Sequence, residues 1–216
     1  MIGSDQKLKN FFKQGRPLLY KKNEVILRGD EAPSGIFYLN KGYVKNYAFS
    51  ENGDEFTFIL YRKGDFFPIS WTFNQTRKPY FIETLTQCVI YKRDRKEFLE
   101  FLTENPDVLL YITGRITKRF DGLLVRMEHM AFGNAYKKVC SILYILTERF
   151  GKERNGNDVI IDMPLTHKDI ANLLGVARET VSVEIAKLKK ERIIKNVGKH
   201  IYILDLKSLK KDSLIT

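Results

Sequence analysis

Histidine is nearly missing from this chain of 216 residues: three occur, His129, His167 and His200, and none lies among the first 128 positions. Cysteine is scarcer still, Cys88 and Cys140 standing far apart, with no paired spacing of the kind that holds zinc, haem or an iron–sulfur cluster. Both thiols read as small buried groups, and the histidines as surface or helix-end residues. A metal-dependent enzyme on a β-barrel would need imidazole and carboxylate ligands on its strands, and the N-terminal part offers no imidazole, so no metal and no cofactor is expected. No Gly-rich phosphate loop and no nucleophile elbow occurs either. No apolar run approaches the ~20 residues that cross a bilayer. The N-terminal MIGSDQKLKN lacks the apolar region of a signal peptide, so a cytoplasmic protein without a membrane partner is expected.

Acidic residues are also in deficit, 26 Asp and Glu against 37 Lys and Arg, a formal net charge of +11. That balance draws a protein to phosphate backbones or anionic surfaces. From Gly133 onward 16 Lys and Arg stand against 10 Asp and Glu, so the C-terminal part is denser in positive charge. With 44% hydrophobic and 29% charged residues the composition is that of a folded protein, and the length suits two modest domains.

The most informative stretch runs from Leu165 to Ile194. Thr166 followed by Asp169 is a capping box that opens a helix, and Ile170, Leu173 and Leu174 give that helix one apolar face. Small Ala171 permits a close crossing, and Gly175 stands where a tight turn needs a positive φ. A second amphipathic segment turns Val181, Ile185 and Leu188 inward and leaves Arg178, Glu179, Ser182 and Lys189 elsewhere on its surface. Arg at the helix start can donate two hydrogen bonds to guanine, and the adjacent Glu can accept one from cytosine. The segment KNVGKHIYILDL then reads as strand, glycine turn and strand, the wing of a winged helix-turn-helix. An ordinary helical hairpin is the alternative reading of the same residues.

LTHKDIANLLGVARETVSVEIAKL resembles the DNA-binding motif of the Crp/Fnr superfamily of bacterial transcription regulators, most closely in RETV. The resemblance implies base contacts from Arg178, Glu179 and Ser182, and Thr166, His167, Lys189 and Lys199 complete the expected DNA-binding set. Two positions depart from the family pattern: Val183 stands where Arg is common, and Glu184 where an apolar residue is usual.

From about Leu18 to Tyr91 short aromatic-rich strands alternate with Gly, Asn, Asp and Pro: Val25 to Leu27, Ile36 to Leu39, Tyr43 to Phe49, Phe56 to Tyr61 and Tyr80 to Tyr91. Asn52-Gly53 is a strong hairpin signal, and such spacing argues for a sandwich or barrel. With Gly29, Gly42 and Gly64 it resembles the double-stranded β-roll, or jelly roll, that is the sensor domain of that superfamily. Asn105-Pro106-Asp107 starts a helix with Asn as cap. Leu109, Ile112, Ile116, Phe120, Leu123, Met127 and Met130 then form a coiled-coil-like seam as far as about Ala131. Gly133 breaks the helix, Asn134 caps the next, and a hinge belongs near Phe132 to Asn134. GKERNGND reads as a loop, Val159 to Asp162 as a strand, and Leu206 to Thr216 as a basic, weakly patterned tail that frays. The expected fold is α+β: a β-roll effector-sensing domain over 1–104, a dimerisation helix over 105–132 and a winged helix-turn-helix over 133–216. The resemblance implies a homodimer on an inverted repeat of double-stranded DNA, with RNA polymerase as partner of an activator.

In cyclic-nucleotide-binding members of the superfamily, a Gly-Glu pair after Gly-Asp-aromatic holds the ribose, and a later Arg-Ser pair grips the phosphate. Here Gly64-Asp65-Phe66-Phe67 leads to Pro68-Ile69, and the later pair aligns with Lys78-Pro79. A small organic effector, such as an aromatic acid, is therefore expected in place of a cyclic nucleotide. The candidate pocket is Phe67, Ile69, Trp71, Arg77, Lys78 and Tyr80, joined by Leu123 and Met127 from the long helix. The same aromatics read equally as β-roll core. Two further readings stay open: a constitutive DNA-binding regulator whose β-roll holds no ligand, and a cupin-like small-molecule enzyme.

Overall fold

A computed structural model describes residues 3–76, 79–154 and 158–215. The chain divides into two units that part at Phe120 and Asp121.

The first unit opens on α1 (Ser4–Lys13), where Leu8, Phe11 and Phe12 at three- and four-residue steps form one buried face. Eight strands follow: β1 (Pro17–Tyr20), β2 (Val25–Leu27), β3 (Ile36–Lys41), β4 (Val44–Phe49), β5 (Glu55–Tyr61), β6 (Phe66–Phe67), then, after the short helix α2 (Ile69–Asn74), β7 (Phe81–Thr84) and β8 (Cys88–Arg93). They make two antiparallel sheets, ordered β1-β8-β3-β6 and β2-β7-β4-β5. The stretch from Tyr80 to Tyr91 is thus divided, β7 in one sheet and β8 in the other. Strand period explains the core. Along β3, Phe37 and Leu39 point into the cluster between the sheets with Tyr61, Phe67, Ile82 and Ile90. Ile36 and Tyr38 point the other way, into a second cluster with Phe12, Phe98, Leu102 and Ile112. β3 is therefore buried on both faces, and α1, α3 (Arg95–Glu104) and α4 (Pro106–Ala131) supply side chains to the outer core. Gly42 holds φ +96°, where an added Cβ would lie 2.5 Å from Cys88 Sγ, so no larger residue fits this turn.

Two helices of this unit flank the strands, α1 before them and α3 after; the latter is capped by Asp94, which accepts from Lys96 N at 2.7 Å. Asn105 does not cap α4 with its side chain: the amide donates back to Phe101 O at 2.9 Å, and the Asn105 carbonyl receives Val108 N and Leu109 N.

The expected seam on α4 corresponds to two stripes. Ile112 is buried and Ile116 half-buried in the outer core of their own unit. On the other side Leu110 is 75% exposed, Phe120 58% and Met127 64%, with Leu124 also open to solvent. Leu123 and Met130 are half-buried.

In the second unit, beyond α4, come α5 (Ala135–Phe150), β9 (Gly151–Glu153), β10 (Val159–Ile161), α6 (His167–Leu174), α7 (Arg178–Lys190), β11 (Ile194–Val197), β12 (His200–Ile203) and α8 (Leu206–Lys211). Asn134 caps α5 by accepting from Lys137 N at 3.0 Å. Val139, Ile142, Leu143 and Leu146 are buried on α5, Ile170 and Leu173 on α6, Val181, Ile185 and Leu188 on α7. Two expectations are corrected here. Gly151–Glu153, read as loop, pairs with β10 as a strand, while 155–157 lie outside the described residues. The tail from Leu206 is ordered by packing: Asp205 caps α8, Leu209 is fully buried, and Leu214 N donates to Ser141 Oγ at 2.9 Å. His129, read as a surface or helix-end residue, stands in the last turn of α4; it is 4% exposed, and burial lowers its imidazole pKa.

Candidate nucleic-acid interface

The helix pair that would meet DNA is held by local chemistry. Thr166 Oγ1 receives Asp169 N at 3.2 Å while Asp169 Oδ2 receives Thr166 N at 2.7 Å, the reciprocal capping box. Gly175 ends α6 in the left-handed region, φ 64° and ψ 38°, and Val176 N returns to Ala171 O at 3.2 Å. The turn thus sets α7 against α6 with Val181, Ile185 and Leu188 buried beneath it. Opposite that buried stripe the side chains are free to meet a groove: Arg178 and Glu179 in the first turn are exposed, as are Lys189 near the end and Lys199 in the wing. Gly198, φ 59°, lets β11 turn into β12. Ser182 is half-buried and its hydroxyl is engaged by α6, His167 Nδ1 standing 2.8 Å away. Burial first, then the positive charges of Lys189 and Arg178, lowers the His167 pKa, which favours a neutral ring. Val183 is 54% exposed, an apolar group on a polar face. Glu184 is buried and pairs with Lys187 Nζ at 2.8 Å, so a carboxylate at a usually apolar position takes its counter-ion one turn on.

The expected sensor residues do not gather into one pocket among the described residues. Phe67 is fully buried between the two sheets. Ile69 and Trp71, on α2, pack against the other cluster, beside Phe66 and Phe98. Tyr80 packs against Phe58 with tilted rings, their centroids 4.6 Å apart. Arg77 and Lys78 lie outside the described residues. Leu123 and Met127 sit on α4 past the boundary of the unit. Ile69 does line a narrow crevice with Asp65, Ile112, Arg115 and Arg119, with room for about one water molecule.

Two family profiles cover most of this architecture. A cyclic nucleotide-binding domain matches residues 17–105, and a Crp-like helix-turn-helix domain matches residues 137–212. The chain belongs to the Crp/Fnr superfamily. It is similar to the cAMP-activated global transcriptional regulator CRP of Pasteurella multocida, 23% identical over 185 residues, covering 85% of this chain and 88% of that one. Among solved structures it resembles FixK2 from Bradyrhizobium japonicum, with TM-score 0.79, 18% identity and coverage of 94% and 98%. It also resembles CprK complexed with OCPA, with TM-score 0.71, 21% identity and coverage of 95% and 92%. As a Crp/Fnr-type regulator it therefore joins an effector-domain fold to a DNA-binding helix-turn-helix. Among the described residues no group of three or more His, Cys, Asp or Glu is placed to hold a metal, and no helix is long and apolar enough to cross a membrane.

One constellation in this Crp/Fnr chain escaped the sequence reading. Asp65 is only 2% exposed and faces two guanidiniums from successive turns of α4, Arg115 and Arg119, the latter at 2.9 Å. Arg115 also donates to Gly64 O at 2.8 Å, and Asp65 Oδ2 receives Arg62 N at 2.9 Å. Such a carboxylate is costly to bury unless its oxygens are fully used, so the Gly64-Asp65 turn is tied to α4. The signal was present as an i, i+4 arginine pair on a helix and an aspartate in a glycine turn, but nothing local joins them.

Proposed function

We propose that the chain is a sequence-specific transcription regulator in which a β-roll sensor, residues 1–104, acts through a dimerisation helix, 105–132, on a winged helix-turn-helix, 133–216. Two copies pair along α4 and read an inverted repeat, each through Arg178, Glu179 and Ser182. Thr166, His167, Lys189 and Lys199 supply contacts around them, and an activator of this kind would engage RNA polymerase. The observation that carries the reading is the exposed Arg178-Glu179 pair at the start of a helix whose opposite face is locked into its unit. A protein neutralising six to ten phosphates loses roughly 10³–10⁵ in affinity between 50 and 200 mM salt. Titration of labelled random duplex at both salt levels should show that fall. Absence of binding at the lower salt would contradict the proposal.

The effector we propose is a small organic anion, not a cyclic nucleotide, although the matching profile and the CRP relative carry the cyclic nucleotide in their names. Ile69 replaces the carboxylate that would hold a ribose hydroxyl, and Lys78-Pro79 replaces the guanidinium and hydroxyl that would grip a cyclic phosphate. A ligand present at a hundred times its Kd stabilises the folded state by about 2.7 kcal/mol. Millimolar cyclic AMP or cyclic GMP should therefore leave the melting temperature unmoved and give no saturable heat in calorimetry. Micromolar binding of either would overturn this part of the proposal.

A further inference from the structure

Two partners meet on one hydroxyl at the outer face of α7. Ser182 Oγ donates to the Arg178 carbonyl one turn earlier, at 3.0 Å, and lies 2.8 Å from His167 Nδ1. A serine hydroxyl has one proton and two lone pairs. With the proton on Arg178 O, the Nδ1 contact is a hydrogen bond only if the imidazole carries hydrogen there and donates it to Oγ, which leaves one lone pair free. The imidazolium gives the same arrangement. With the other neutral tautomer, Oγ donates to Nδ1 instead, and again no proton remains. In every state the hydroxyl proton is used inside the protein, and what faces outward can only accept.

We propose that His167 is a positioning residue for base recognition: it fixes Ser182 as a hydrogen-bond acceptor, so that the helix selects a base whose exocyclic amino group lies in the major groove, adenine or cytosine, where Ser182 reads. The inference rests on the DNA-reading function proposed above. An unrestrained serine reads donor and acceptor edges alike. The Arg178 carbonyl holds the hydroxyl weakly, because a helix carbonyl at that position also serves the backbone amide one turn on. His167 is the firmer anchor, since it occupies the first position of α6, which the Thr166–Asp169 capping box fixes. The charged groups that act on its ring are Lys189 and Arg178 of α7, while Asp169 on its own helix is turned back onto Thr166. None of these alters the outcome, since the acceptor role holds whether or not the ring is protonated.

The test is parallel selection from a random duplex pool with the wild type, Ser182→Ala, His167→Leu, His167→Asn and the double variant His167→Leu with Ser182→Ala. Ser182→Ala identifies the position that the hydroxyl reads, by relaxing it. The wild type should prefer adenine or cytosine there. His167→Leu should reduce that preference about 5–10-fold, the weight of one neutral hydrogen bond, and leave the other positions intact. His167→Asn, whose amide can donate from about the place of Nδ1, should restore it. The double variant should match Ser182→Ala at that position, since the histidine acts through the serine. The proposal is overturned if His167→Leu keeps the wild-type preference, weakens all positions equally, or is not rescued by Asn. It is overturned too if the wild type prefers guanine or thymine there, or if Ser182→Ala relaxes no position. A wild type that enriches no sequence instead refutes the DNA-reading function on which the inference stands.

Discussion

Replacing Met127 with aspartate is expected to separate the protein into monomers and to remove specific DNA binding along with the dimer. Leu110, Phe120, Leu124 and Met127 are exposed on one helix at positions that fit a seven-residue repeat, with Thr113 and Thr117 between them. Solvent-exposed apolar residues at that spacing stabilise a second copy by about 1.5–3 kcal/mol for each side chain fully buried. An aspartate at Met127 appears twice across a two-fold axis, so the interface would have to desolvate two like charges facing each other. Because Met127 is 64% exposed in the single chain, the substitution should leave the fold itself intact. With the dimer gone, one half-site is read at a time, and the ~10²–10⁴ gain from linking two modules disappears. Sedimentation of the variant should give the mass of one chain, and affinity for the selected site should fall to that for random duplex. A variant that still sediments as a dimer would remove the seam from the account.

Arg178→Ala is expected to produce the second large effect. The side chain stands exposed at the first position of α7, where the helix start already favours partial negative charge, and its fork matches the two acceptors of guanine. Loss of a bidentate contact costs about 1–3 kcal/mol per half-site, and two half-sites roughly double it. The loss should be confined to sites carrying the preferred G·C pair, so competition with duplexes altered at that pair separates readout from simple attraction. Equal weakening on all duplexes would make Arg178 a phosphate contact.

The parts of this fold legible in the sequence are those fixed by neighbours in the chain. The capping box at Thr166 and Asp169, the positive φ at Gly175 and the glycine of the wing are local devices, and all three are found where the residues place them. The β-roll strands were readable for the same reason, since turns at Gly42, Gly53 and Gly64 punctuate them. What needed three dimensions was not readable. Phe66 and Phe67 are adjacent, yet strand geometry sends them into different cores, so an aromatic run does not by itself outline a pocket. The periodicity of α4 announces apolar positions but not which of them face its own β-roll, as Ile112 does, and which face solvent, as Phe120 does. Asp65 and its arginines stand 50 and 54 positions apart, and the buried seat that Leu209 of α8 finds is likewise out of reach of its neighbours in the chain.

The most direct test of the account is selection of duplexes from a random pool by the wild-type protein, followed by sequencing of the bound fraction. Two copies of one helix-turn-helix related by a two-fold axis should enrich an inverted repeat. Its half-site centres should lie one helical turn, about 34 Å, apart, with a fixed G·C pair in each half. Enrichment of a single unrepeated element, or of no element, would contradict it.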